Sequence, residues 1–121
     1  MEELDFTKDS FEDILKKDSR YHPRAYVLLL EAVLSAMRRF NPNVSSNEIM
    51  MEFKEFTLDY FGPMSYSVLK QWGVTSTADL GQMMHNIVDS GRLAKSEDDN
   101  FDDFNSGYDF ESTFLGPYET V

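Results

Sequence analysis

A chain of 121 residues has the size of one domain and can bury roughly two-thirds of its unfolded surface. With 41% hydrophobic and 14% aromatic residues it is too apolar for a wholly disordered segment, and the lack of Cys excludes disulfides, thiol nucleophiles and Cys-based zinc sites. The net charge of -11 sits at the ends: residues 1–18 hold seven acids against three Lys, residues 19–95 seven acids against eight bases, and residues 96–121 eight acids and no base.

That distribution divides the single domain, residues 1–121, into an acidic N-terminal segment with a short helix (1–18), a helical core (19–95) and an acidic wing with a C-terminal strand (96–121). The neutral centre can tolerate nucleic acid, while the acidic flanks repel it. The opening "MEELDFTKDS" lacks the apolar stretch of a signal peptide. The longest apolar run, "AYVLLL", is six residues, far short of a membrane span. These features, with the absence of Cys, point to a cytoplasmic setting.

Ser10 with Asp13 predicts a capped short helix over Phe11 to Lys17. Pro23 suits the first position of a second helix, where its missing N–H is not needed. Tyr26, Leu29, Leu30, Val33, Met37 and Phe40 recur at helical spacing, and Val27, Leu28 and Leu34 widen the stripe. Only Arg24, Glu31, Ser35 and Arg38 leave a polar line, so this helix should be central.

Ser45 and Glu48 form a capping box for a third helix with Ile49, Met50, Phe53, Phe56 and Tyr60 on its inner face. Gly62-Pro63 ends it and starts a short fourth helix, Pro63 to Trp72, with Met64, Val68 and Trp72 in register. After "GVTS", Ser76 and Asp79 cap a fifth helix, Thr77 to Ser90, facing inward through Leu80, Met83, Met84, Ile87 and Val88. The last two helices make a helix-turn-helix pattern. "RLAK" and the alternating "YDFESTF" then read as strands. The expected fold is therefore mainly α, with five helices and a small β-hairpin wing, winged-helix-like.

The segments "RYHPRAYVLLLEAV", "FGPMSYSVLKQWGVTSTADLG" and "GRLAKSEDDNFDDFNSGYDFESTF" resemble a family of small proteins of unknown function from planctomycete and verrucomicrobial genomes. The resemblance spans about residues 11 to 114. It implies one compact unit that includes the acidic end, and it carries no substrate, cofactor or catalytic residue.

Several chemistries compete for the acidic stretch. Asp98, Asn100, Asp102 and Asp109 occupy the first, third, fifth and twelfth positions of a calcium loop. That loop requires Gly sixth and a bidentate Glu twelfth, where this chain has Asp103 and Asp109. Against it, Ser96 and Asp99 have capping spacing, Phe101 and Phe104 share a helical face, and Asn105 or Gly107 can end the turn left-handed. That pattern predicts a short helix with its rings inward and its carboxylates in water.

His85 and Asp89 lie one helical turn apart, but two groups do not make a zinc site. His22, just before Pro23, suits a structural role at the helix start. No nucleophile, base and acid assemble into a catalytic set. The sequence assigns no catalytic residue, metal site or cofactor.

The favoured reading is a non-enzymatic protein-interaction or regulatory module. Its acidic wing, through Asp98, Asp99, Asp102, Asp103, Asp109 and Glu111, would meet the basic surface of a partner protein. Simple solubilisation by the same charge is the bland counterpart. An alternative is a winged-helix DNA-binding regulator reading bases with Gln82, His85 and Asn86 beside Arg92 and Lys95. The fifth helix holds no Lys or Arg, which counts against that alternative because phosphate neutralisation supplies much of the affinity. A third is a divalent-metal-binding protein or an enzyme using the wing carboxylates.

Overall fold

The computed structural model describes residues 8–40, 44–94 and 101–118. Among them are five α-helices: α1 (Glu12–Lys17), α2 (Pro23–Phe40), α3 (Ser46–Phe61), α4 (Ser65–Gln71) and α5 (Thr77–Asp89). Helical turns follow at Phe101–Ser106, Glu111–Leu115 and Gly116–Tyr118. The protein is mainly α. No described helix is long and apolar enough to cross a membrane.

The nearly all-round apolar α2 is the central element. Ala25, Tyr26, Leu29, Leu30, Ala32 and Ala36 are all fully buried. The thin polar line of α2 is answered by polar groups on α3. Glu31 accepts the Tyr60 hydroxyl at 2.8 Å, and Glu52 accepts Ser35 at 2.6 Å and Arg39 at 2.8 Å. Later positions on α2 thus meet earlier ones on α3, so the two helices run antiparallel. Glu52 is buried, and these bonds satisfy it there.

The helix starts are largely local chemistry. Ser45 and Glu48 form the complete capping box of α3. Gly62, at φ +50°, turns the chain into a single 3-10 turn ahead of α4, and the Ser76 hydroxyl accepts the Asp79 N–H at the start of α5. His22 opens α2: its Nδ1 accepts the Arg24 N–H at 3.0 Å, while its ring stacks on Trp72 at 5.7 Å.

Several expectations need correction. α1 is not capped by Ser10. Phe11 takes the left-handed conformation at φ 54°, and its N–H goes to Asp9 Oδ1 at 2.8 Å. Tyr60 and Met64 are exposed, and the inner positions beside them are instead Thr57, Ser65 and Leu69. The break at Gly62-Pro63 rotates the register, so the face read through Met64, Val68 and Trp72 is one step out.

The larger correction concerns the wing. Among the described residues there is no strand. Arg92 and Leu93 form a bend, and Lys95 lies outside the described residues. "YDFESTF" winds into a π-helical turn, Glu111–Leu115. The β-hairpin wing, and with it the winged-helix assignment, is replaced by helical turns. Phe110 and Phe114 are four apart, a helical as well as an alternating spacing, and seven residues do not separate the two periods. Asp109 decides it locally: its carboxylate accepts the Ser112 N–H and hydroxyl, both at 2.9 Å, which caps a helical turn.

Candidate functional site

The acidic C-terminal segment is a layer laid over α3, α4 and α5. Phe101 and Phe104 are buried against α5, their rings 6.2 Å apart edge to face. Gly81 permits this approach, since a Cβ there would lie 2.9 Å from Phe104 Cβ. Thr77 then donates its hydroxyl to the Phe104 carbonyl at 2.6 Å. Gly107 passes just as closely, because a Cβ there would meet Thr77 Oγ1 at 2.5 Å and Met50 Sδ at 2.7 Å. It serves close approach, and neither Gly107 nor Asn105, the two candidates for a left-handed end to the turn, has a positive φ.

Further along, Tyr108, Phe110 and Phe114 form a ring cluster with centroids 5.0 to 6.0 Å apart. The Tyr108 hydroxyl donates to the Met50 carbonyl at 2.8 Å, and burial pushes its pKa well above the usual tyrosine value. Five aromatic anchors therefore hold the layer, and the carboxylates between them are left outside.

Asp102, Asp103 and Glu111 are exposed. Among the described residues Asp103 and Glu111 carry carboxylates with no hydrogen bond or ion pair, whereas Asp109 is spent on its cap. The Ser112 N–H, first, and then its hydroxyl hold the Asp109 carboxyl below the usual range. Asp98, Asp99, the calcium-loop position Asn100 and the Ser96–Asp99 cap lie outside the described residues. No group of three or more potential metal ligands occurs among the described residues.

The residues of the nucleic-acid alternative are mostly occupied inside the protein. Asn86 donates to Asp18 Oδ2 and the Tyr26 hydroxyl, each at 3.0 Å, and accepts from Gln82 at 3.1 Å. Arg92 lies 4.7 Å over the Phe11 ring and is bound by Asp9 at 2.6 and 2.8 Å and by Asp13 at 2.9 and 3.0 Å. The Arg92 hydrogen bonds hold the Asp9 and Asp13 carboxyls below their usual values. A guanidinium enclosed this way closes the N-terminal segment onto the end of α5 and has little left for phosphate. His85 is exposed, with its ring edge to face against Phe101 at 4.8 Å.

A feature that sequence reasoning missed lies on the other side of α2. A cleft of about 400 Å³ opens between α2, the end of α3 and the turn after α4. Val27 and Leu28 form its floor, Tyr60, Phe61 and Trp72 its walls, and Arg24 and Glu31 its rim. Phe61 and Trp72 stand perpendicular at 5.5 Å, with Tyr60 tilted at 6.1 Å from Phe61. The "HPRAY", "FGP" and "WGV" segments converge here, a long-range meeting that no local pattern announces.

No family model matches the chain, and no curated protein or solved structure matches it either.

Proposed function

We propose that the protein is a non-enzymatic interaction module whose C-terminal layer docks onto a basic surface of a partner protein. The observation that carries this reading is the division of labour in that layer. Its rings are buried against α3 and α5, while Asp103 and Glu111 stand in solvent with no partner among the described residues. Residues 96–121 hold eight acids and no base, so nothing within the segment neutralises them. A rigidly anchored face of one sign steers an oppositely charged partner and fixes its register. The reading includes a cytoplasmic setting, and it assigns no catalytic role to the carboxylates.

The test is capture from native lysate by the wild-type protein and by the Asp103→Lys/Glu111→Lys variant. The variant should melt like the wild type, because surface changes of this kind typically move stability by about 0.5 kcal/mol or less. At least one protein should be retained by the wild type, lost with the variant and released by salt. Identical captured sets at unchanged stability would refute the reading.

A further inference from the structure

The aromatic cleft beside α2 is independent of the acidic layer, and its unused groups define what it takes. Tyr60 is 58% exposed, and Trp72 is half-buried. Among the described residues, neither the Arg24 guanidinium nor the Trp72 indole N–H has a partner. Glu31 accepts the Tyr60 hydroxyl through Oε2, its one hydrogen bond among the described residues. The cleft therefore offers two donors that no described residue engages, one carboxylate and a wall of rings. Trp, Tyr and Arg are the side chains that dominate binding energy when they line a depression with a polar rim.

The charges add a ruler. Arg24 and Glu31 are seven residues apart on α2, about 10 Å along its axis. A polyproline II segment rises about 3.1 Å per residue with three residues per turn. Its positions i and i+3 therefore share a side about 9 Å apart. Such a segment makes no internal hydrogen bonds, so its carbonyls are free to accept from the donors of the cleft. Aromatic grooves recognise this conformation because little chain entropy remains to be lost.

We propose that this cleft is a docking site for a proline-rich segment of a partner protein, held as polyproline II. A carboxylate of the segment pairs with Arg24 and a cation three residues away pairs with Glu31. Proline rings and aliphatic side chains rest on Phe61 and Trp72. The indole N–H and the guanidinium donate to the segment's carbonyls. The two rim charges set the direction in which the segment runs.

Trp72 is the single tryptophan, so its fluorescence reports the cleft directly. The probe is a ten-residue proline-rich peptide with Glu and Arg three positions apart, titrated into the full chain. A saturable change in Trp72 emission is expected. Arg24→Glu should weaken binding about tenfold, equivalent to about 1.4 kcal/mol. A peptide with Arg in place of its Glu should restore binding to that variant. Glu31→Gln, which keeps an acceptor for Tyr60, should weaken the original peptide without altering the melt.

Three results would overturn the proposal. They are no saturable response up to about 1 mM peptide, equal binding of a peptide with both charges replaced by Ala, and tighter binding of an amphipathic helical peptide of the same charge. None of these bears on the acidic layer, whose charge-reversed variant should bind the peptide as the wild type does.

Discussion

Gly107 shows how much of the C-terminal layer depends on a single missing methyl group. A Cβ there would press on Thr77 and Met50 at once, and overpacking of a filled interior typically costs about 1–3 kcal/mol. Gly107→Ala should therefore lower stability by that order in urea unfolding. Gly116→Ala, where a Cβ meets nothing within 4 Å, should leave it almost unchanged. Equal effects from the two would refute the close packing around Gly107. Burial and capping are separate jobs on neighbouring residues: Phe110 and Phe114 fill space, while Asp109 satisfies the Ser112 N–H between them. Glu52 is the comparable case in the core. Glu52→Ala removes the acceptor of Ser35 and Arg39 and should destabilise by about 1–3 kcal/mol, read as a lower urea midpoint.

The starts of α2, α3 and α5 are the most legible features, because their signals are local, whereas the Ser10–Asp13 pair has cap spacing without forming a cap. The Ser45–Glu48 box, Pro23 at the start of α2, and the Ser76–Asp79 pair each needs only a few consecutive residues. The C-terminal segment was legible in part. Phe101 and Phe104 face inward as their spacing requires, yet "YDFESTF" fits two periods at once, and the Asp109 cap on Ser112 selects the helical one. The clamp on Arg92 was invisible for another reason: Asp9 and Arg92 are 83 residues apart, and no pairing rule reaches that far.

This clamp makes a pH prediction. Hydrogen bonds from Arg92 hold Asp9 and Asp13 below their usual pKa, and those from Arg20 do the same to Asp18. Groups with depressed folded values contribute stability above their unfolded pKa, near 3.9, and lose it as pH falls through the folded value. Stability should be level from about pH 7 to about pH 5 and decline below about pH 4. Arg92→Gln should lower the plateau and shallow the acid decline in urea unfolding at a series of pH values. An acid limb unchanged by the substitution would show that the clamp does not contribute to folding.

At the scale of the whole molecule, two surfaces stand out among the described residues. The C-terminal layer carries the acid on aromatic anchors, and the α2 cleft carries rings with one charge of each sign. The acidic face was readable from composition alone. The cleft was not, because its rings come from α3 and the turn after α4 and meet only in three dimensions. Under the two proposals the protein would bring together a basic surface and a proline-rich segment, and a partner carrying both would be held at two points with the gain of linked binding.

The most direct measurement is zero-length coupling of carboxylates to lysines in the captured complex, followed by mapping of the joined peptides. The account predicts that partner lysines join to Asp103 and Glu111 in the C-terminal layer, and that raised salt suppresses those links. Links confined to exposed acids elsewhere, such as Glu12, Glu55 and Asp59, with none in the layer, would contradict it.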